Sequence, residues 1–134
     1  AELAKKYENL NFSIEAELHP DKLIEIIELG DNFSVTYDTG NITSCKLDHE
    51  EYIDRLANRI SNVHLKDRTF DAGTVDPTTG DTNFNLIFQK LCDINYTGIF
   101  TIQTARGEYG QEVETINKHK KIFEEIYNEC KRDV

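Results

Sequence analysis

Hydrophobic and polar residues alternate in four short segments of the chain, which is the pattern of strands with one apolar and one polar face. After each segment, apolar residues recur at helical spacing. The predicted strands lie near residues 11–18, 32–38, 62–68 and 98–104, and the helices that follow begin at or next to Pro20, Asp48, Asn83 and Gln111. Because helical crossovers join parallel strands, this order predicts an α/β fold of four consecutive βα units.

The polar strand faces narrow the choice of architecture. A doubly wound sheet buries both faces, so its strands read as nearly continuous apolar runs, whereas three of these four strands carry a strongly polar face. One face must pack on the helices while the other faces water or a polar interior, as near the active site of a (β/α)8 TIM barrel. Eight units need about 250 residues, and this chain has 134. We therefore expect residues 1–134 to form a single domain with half of a TIM barrel.

Composition and charge exclude several functions. The chain has 25 acidic and 15 basic residues and a formal net charge of −10, so it repels phosphate backbones and anionic lipids. It has no apolar run of about 18 residues for a membrane span. Its three cysteines are widely spaced without a CxxC motif, which favours a reducing cytoplasm over a disulfide framework. We expect a cytoplasmic protein with no nucleic-acid or membrane partner.

Polar residues at the strand ends are candidate metal ligands. The last inward-facing residues of the four strands are Glu15, Asp38, His64 and Gln103. Two carboxylates, an imidazole and an amide suit Mn²⁺, Mg²⁺ or Co²⁺ better than they suit a closed structural zinc site. Such an ion would polarise a sugar carbonyl and stabilise the enediolate formed when a neighbouring carbon loses its proton, with Glu15 as ligand and base. The alternative is that each residue is a solvated side chain at a strand end.

Three basic residues are candidates for substrate binding. Lys66 and Arg68 lie on the same predicted strand face as His64, and Arg106 follows the fourth strand. Each could hold a phosphate or a substrate hydroxyl. Charged residues at strand ends more often simply face solvent, so that alternative stays open.

The remaining histidines and one long loop complete the polar features. The connection over residues 71–80 is long and polar, and loops of that length usually bind something. His19, His49 and His119 fall in predicted turns or on helix surfaces. We expect these three histidines to have no role in the site.

Sequence motifs follow the predicted strands in a characteristic order. IEAEL comes first, then YDTGN with Asp38, VHLKDR with His64, and YTGIFTIQTARG at the last strand. In that order and spacing they resemble the xylose-isomerase-like TIM-barrel superfamily of sugar phosphate isomerases and epimerases, which also includes the family 2 apurinic endonucleases. The resemblance covers essentially all of the chain and implies strands five to eight of the barrel, with the first four absent. It also implies that Glu15, Asp38 and His64 are metal ligands and that Arg68 contacts substrate.

Gln103 departs from the family pattern, because many epimerases of this type have a second Glu at that position. An amide can ligate a metal through its oxygen, but it cannot exchange protons near neutral pH. This difference disfavours epimerisation by two bases at one carbon. Proton transfer by a single base between adjacent carbons remains open.

Three functions can be compared. The first is a divalent-metal-dependent isomerase or epimerase of a sugar or sugar phosphate. The second is a non-catalytic half-barrel or sugar-binding module that pairs with a second copy or with the missing half, since an open sheet leaves two unpaired edges. The third, a DNA-repair nuclease, conflicts with the acidic charge and with the lack of an Asp-x-His pair after VHLKDR.

Overall fold

The computed structural model describes residues 2–70 and 72–132. Ala1, Asp71, Asp133 and Val134, which belong to the predicted single domain, lie outside the described residues. The elements are, in chain order, α1 (Glu2–Lys6), β1 (Phe12–Ile14), α2 (Pro20–Ile27), β2 (Phe33–Asp38), α3 (Thr39–Ser44), α4 (His49–Leu56), a 3-10 turn (Ala57–Arg59), β3 (Ile60–Leu65), β4 (Asp67–Arg68), β5 (Thr74–Val75), α5 (Phe84–Asp93), β6 (Ile99–Ile102) and α6 (Glu112–Arg132).

The main sheet has the strand order β1-β2-β3-β6, and all neighbouring strands are parallel. Asp38 in β2 lies opposite His64 in β3, and His64 lies opposite Thr101 in β6. The carboxyl ends of the strands therefore meet at one edge of the sheet. This arrangement confirms the predicted α/β fold with a parallel sheet of βα units, which is part of a TIM barrel.

The apolar face of the sheet packs on the helices. Val35 and Tyr37 of β2 alternate with polar residues and are fully buried. Tyr37 stacks on Tyr52 of α4 with ring centroids 5.3 Å apart. The same core includes Leu23, Ile53, Val63, Leu65, Ile87, Phe88 and Phe123.

The opposite face of the sheet carries small hydroxyl side chains. The Ser13 hydroxyl lies 2.6 Å from that of Thr36 and 2.9 Å from that of Ser61, and Ser61 also contacts Ser34 at 2.9 Å. Bulky branched residues usually fill this side of a TIM barrel. Here the hydroxyls bond to one another, so the polar face anticipated from the alternation is present.

Three strands depart from their predicted bounds: β1 is Phe12–Ile14 rather than 11–18, β6 is Ile99–Ile102 rather than 98–104, and β3 is Ile60–Leu65 rather than 62–68. The end of β3 at Leu65 has a local cause. The Thr39 hydroxyl accepts a hydrogen bond from the Lys66 backbone N–H at 2.9 Å and donates to the Lys66 carbonyl at 2.7 Å. Because a side chain takes both backbone groups of Lys66, the chain leaves the parallel ladder at this residue. β4 then pairs antiparallel with β5 instead of extending the third strand to residue 68.

The helices follow the sequence signals closely at their starts. Pro20 begins α2, Asp48 accepts a hydrogen bond from the Glu51 backbone N–H as the N-cap of α4, and Asn83 does the same for α5. No helix in the described part of the chain is long and apolar enough to cross a membrane.

Candidate metal centre

Three of the predicted ligands converge at the carboxyl edge of the sheet. Glu15 directly follows β1, Asp38 ends β2, and His64 is the next-to-last residue of β3. Nδ1 of His64 lies 3.4 Å from Oε2 of Glu15 and 3.7 Å from Oδ2 of Asp38. One ligand atom from each residue lies within 4.8 Å of the others. Ligands bound to one ion at about 2.0–2.2 Å are about 3.0–3.4 Å apart, so these atoms lie close to the spacing of a shared ion.

The chemistry of these atoms fits a divalent cation. Oδ2 of Asp38 and Nδ1 of His64 are buried without a hydrogen-bond partner among the described residues, which is uncommon for buried polar atoms. The Lys66 ammonium lies 2.7 Å from Oδ2 of Asp38, as an ion pair that lacks hydrogen-bond geometry. Two carboxylates and one imidazole form an oxygen-rich set that suits Mn²⁺, Mg²⁺ or Co²⁺.

Helix α3 fixes the orientation of the Asp38 carboxylate. The sequence predicts only a turn after β2, but residues Thr39–Ser44 form a short helix with Asp38 as its N-cap. Oδ1 of Asp38 accepts a hydrogen bond of 2.8 Å from the Asn41 backbone N–H. Since the cap uses Oδ1, Oδ2 is the oxygen that faces His64.

Asn41 is a site residue that the sequence interpretation missed. Its side-chain Nδ2 donates to Oε1 of Glu15 at 3.1 Å. Its Oδ1 accepts from Nη1 of Arg68 at 3.2 Å and from the Lys66 ammonium at 3.5 Å. The available signal was its place in the YDTGN motif, three residues after Asp38, where the first turn of a helix brings it back over its cap.

Lys66 and Arg68, which the sequence predicts to bind substrate, lie beside Asp38 and Asn41. Gly40 leaves room for them, because a Cβ atom there would lie 2.7 Å from Cγ of Lys66. Nε and Nη2 of Arg68 donate to the Ala72 carbonyl at 3.3 and 3.2 Å, and its Nη1 lies 3.7 Å from Oε1 of Glu17. Acidic and carbonyl oxygens thus hold both basic side chains beside the carboxylates.

Gln103 lies at the carboxyl end of β6, and Arg106 follows three residues later, outside any strand. Gln103 directly follows β6, and the alternation of burial places its exposed side chain on the same side as Thr101, the neighbour of His64. The Arg106 side chain is exposed and makes no hydrogen bond or ion pair with the described residues of the centre. The structure therefore brings Glu15, Asp38 and His64 together, with Gln103 on their side of the sheet, and leaves Arg106 apart.

The expectation that the other histidines are on the surface is wrong for two of them. His49 is largely buried, with Nδ1 2.5 Å from the Tyr37 hydroxyl and Nε2 2.9 Å from the Thr43 hydroxyl. Burial lowers its pKa to about 4. His119 is 1% exposed, with Nδ1 2.7 Å from the Thr104 hydroxyl. Hydroxyl partners at both nitrogens make burial of the His49 ring tolerable, whereas Nε2 of His119 has no hydrogen-bond partner among the described residues and lies 3.6 Å from Oδ1 of Asp76.

The long loop after β4 is anchored by Asp67. This carboxylate is completely buried and accepts hydrogen bonds from the backbone N–H groups of Gly80 at 2.9 Å and Thr82 at 3.2 Å. The same loop supplies the Ala72 carbonyl that holds Arg68. Asp67 therefore fixes the loop that orients a proposed substrate-binding residue.

Comparison with known families identifies the fold family. The sequence model of the xylose isomerase-like TIM-barrel family matches residues 2–125. The chain belongs to this family. The predicted family is thereby confirmed. A search of curated proteins finds no match for this member of the xylose isomerase-like TIM-barrel family.

Solved structures share the fold at low sequence identity. A D-tagatose 3-epimerase-like protein is 23% identical with a TM-score of 0.80, and the match covers 98% of this chain and 52% of that one. A xylose isomerase domain protein from Planctomyces limnophilus is 18% identical with a TM-score of 0.77, covering 91% and 48%. An L-ribulose 3-epimerase is 17% identical with a TM-score of 0.74, covering 92% and 48%. The chain spans about half the length of these structures.

Proposed function

We propose that the protein is a divalent-metal-dependent isomerase or epimerase of a sugar or sugar phosphate. The observation that carries this proposal is the convergence of Oε2 of Glu15, Oδ2 of Asp38 and Nδ1 of His64 at the carboxyl edge of the sheet. TIM barrels have their active sites at that edge. Two matched structures are described as a D-tagatose 3-epimerase-like protein and an L-ribulose 3-epimerase, which supports a sugar as the substrate class.

Glu15, Asp38 and His64 would hold the metal ion, with the amide oxygen of Gln103 as a fourth ligand. The ligand types favour Mn²⁺, Mg²⁺ or Co²⁺, with Zn²⁺ as an alternative. A bound ion would supply Lewis acidity that polarises the substrate carbonyl.

Glu15 is the proposed base. Its carboxylate takes the proton from the hydroxyl-bearing carbon next to the substrate carbonyl, and the substrate becomes an enediolate. Glu15 then delivers that proton to the former carbonyl carbon, while the hydroxyl proton moves from the old hydroxyl oxygen to the old carbonyl oxygen. Gln103 cannot act as a second base, because an amide does not exchange protons near neutral pH. The residue set therefore favours a single-base shuttle between adjacent carbons.

The basic residues have proposed roles in substrate binding. Lys66 and Arg68 lie beside the carboxylates, where their N–H groups can orient the substrate oxygens. Arg106 is proposed to contact a more distant hydroxyl or phosphate of the substrate.

The open sheet supports a protein partner in addition to the proposed small-molecule substrate. β1 pairs only with β2 and β6 only with β3 among the described residues, so each has a free edge. We propose that these edges pair with a second copy or with the other four units of a barrel. In the described part of the chain, Cys45, Cys92 and Cys130 form no disulfide, which supports a cytoplasmic location.

A sugar-binding module without catalysis is the second candidate. The observation that favours it is the open polar face, on which Glu15 keeps 38% of its side chain exposed. A base works best in a site from which water is excluded. Both candidates bind sugar, but only the enzyme exchanges a carbon-bound proton.

The test combines metal binding with proton exchange. Mn²⁺ is expected to raise the melting temperature, and ketoses with Mn²⁺ in D₂O are expected to lose the NMR signal of the proton next to the carbonyl. His64→Ala should abolish the thermal shift, Glu15→Gln should reduce it because a neutral amide oxygen is a weaker ligand than a carboxylate, and Glu15→Gln should abolish exchange. A thermal shift and sugar binding without exchange would support the binding module. The absence of any metal-dependent shift would contradict the proposed metal centre.

A further inference from the structure

We propose that Asn41 is the positioning residue of this centre, an inference that rests on the proposed function. Asn41 contacts both site carboxylates, through its backbone N–H to Asp38 and its side-chain Nδ2 to Glu15. Each contact occupies one oxygen of a carboxylate and leaves the other oxygen facing His64. One residue thereby determines which two oxygens are available to a metal ion.

The orientation of the Asn41 amide is fixed by the charges around it. A carboxylate can only accept hydrogen bonds, whereas ammonium and guanidinium groups can only donate. The Glu15 carboxylate therefore requires the Nδ2 end of the amide, and Lys66 and Arg68 require the Oδ1 end. A flipped amide would place its oxygen against the Glu15 carboxylate and its N–H groups against Lys66 and Arg68. Only one orientation of the Asn41 amide therefore forms these hydrogen bonds.

Glu15 depends on this contact more than Asp38 does. The Asp38 side chain is almost fully buried and caps a helix, whereas Glu15 has a longer side chain that is 38% exposed. Rotation of an exposed Glu side chain costs little unless a hydrogen bond holds it. Asn41 supplies that hydrogen bond. Because its other end holds Arg68, the proposed base and a proposed substrate-binding residue are placed by one amide.

The two contacts of Asn41 can be separated by mutation. Asn41→Ala keeps the backbone N–H that bonds to Asp38, and removes only the side-chain contacts to Glu15, Lys66 and Arg68. Asn62 provides a matched control, because it lies in β3 on the polar face of the sheet, where its Oδ1 accepts a hydrogen bond of 3.1 Å from Thr101. Asn62→Ala removes an equal side chain without touching a carboxylate.

Mn²⁺ titration by calorimetry tests the inference in a double-mutant cycle. Loss of a residue that orients a metal ligand typically weakens binding about 10- to 100-fold, and we expect a loss in that range for Asn41→Ala but less than about threefold for Asn62→Ala. If Asn41 acts through Glu15, adding Asn41→Ala to Glu15→Gln causes a much smaller further loss than it causes alone. If Asn41 had a purely structural role, Asn41→Ala would cause the same loss of Mn²⁺ affinity in the wild type and in Glu15→Gln, together with a lower melting temperature.

A metal-free measurement keeps this inference separate from the proposed function. In ¹⁵N–¹H spectra without metal, Glu15→Gln is expected to shift the side-chain amide signals of Asn41 and to leave those of Asn62 in place. Unshifted Asn41 signals, or an Asn41→Ala variant that binds Mn²⁺ as tightly as the wild type, would overturn the role of Asn41. If Glu15→Gln shifts the Asn41 signals but the wild-type chain binds no Mn²⁺, the Asn41 contact is supported and the metal centre is overturned.

Discussion

Asp38 uses its two carboxylate oxygens for different tasks, one as a helix N-cap and one toward His64. This double use explains why a short helix begins directly at the carboxyl end of β2. It also places Asn41 and the Lys66 ammonium around the same carboxylate. A change at any of these side chains therefore affects the free oxygen of Asp38.

Lys66 is expected to oppose metal binding. Its ammonium lies 2.7 Å from Oδ2 of Asp38, where it competes with a cation for that oxygen and repels it. Relief of about 1 kcal/mol of repulsion corresponds to an affinity gain of about fivefold. We expect Lys66→Met to bind Mn²⁺ about three- to tenfold more tightly in calorimetric titrations. Lys90→Met, which removes an ammonium paired with Asp54 on the outer surface, should leave the affinity unchanged, and tighter binding by both variants would contradict a local effect.

His49 is expected to make stability depend on pH. Folding lowers its pKa from 6.5 to about 4 because the ring is buried, so below pH 6.5 the unfolded chain takes up a proton before the folded chain does. The contribution of neutral His49 to the free energy of unfolding is fully present above pH 6.5. It is lost as the pH falls toward 4, and the total loss is up to about 3 kcal/mol. Urea unfolding across this range should show a shallower pH dependence for His49→Gln than for the wild type. Parallel curves for the two proteins would contradict this assignment.

At the scale of elements, the sequence predicts which strands carry the candidate ligands but not where those strands end. Alternation along the strands was sufficient to predict that Glu15, Asp38 and His64 lie together, because parallel strands share one carboxyl edge. The end of β3 could not be predicted, since it depends on the Thr39 hydroxyl bonding to Lys66 from a distant part of the chain. The burial of His49 likewise depends on tertiary contacts that have no periodic signal.

The loop after β4 is expected to depend on one glycine. A Cβ atom at Gly80 would lie 2.4 Å from Oδ1 of Asp67 and 2.8 Å from the Arg68 carbonyl. Neither group can move easily, because Asp67 is buried and holds the loop by two hydrogen bonds. We expect Gly80→Ala to lower the free energy of unfolding by about 1–3 kcal/mol.

Gly73→Ala is the matched control for this loop. A Cβ atom at Gly73 meets nothing within 4 Å, and its backbone does not require glycine. Urea unfolding of the two variants should therefore differ, with Gly73→Ala within about 0.5 kcal/mol of the wild type. Equal losses in both variants would show that the close approach to Asp67 is not the cause.

At the scale of the whole molecule, apolar residues are exposed on β6, which has a free edge, and at the start of α6. Ile99 is 67% exposed on that strand. Val113 and Ile116 are exposed three residues apart on one face of α6, and Tyr109 is exposed in the turn that precedes this helix. Exposed apolar residues and an unpaired strand edge each favour association with another chain.

We expect the isolated chain to form a dimer through this region. Light scattering after size exclusion should give about twice the monomer mass of 15.5 kDa at micromolar concentration. A double variant, Val113→Lys and Ile116→Lys, should shift the mass toward the monomer, because burying two charges in an apolar contact is costly. Phe70→Lys changes an exposed aromatic residue in the loop after β4 and should leave the dimer intact. A monomeric wild type would contradict pairing with a second copy and would favour the other four barrel units as the partner of these edges.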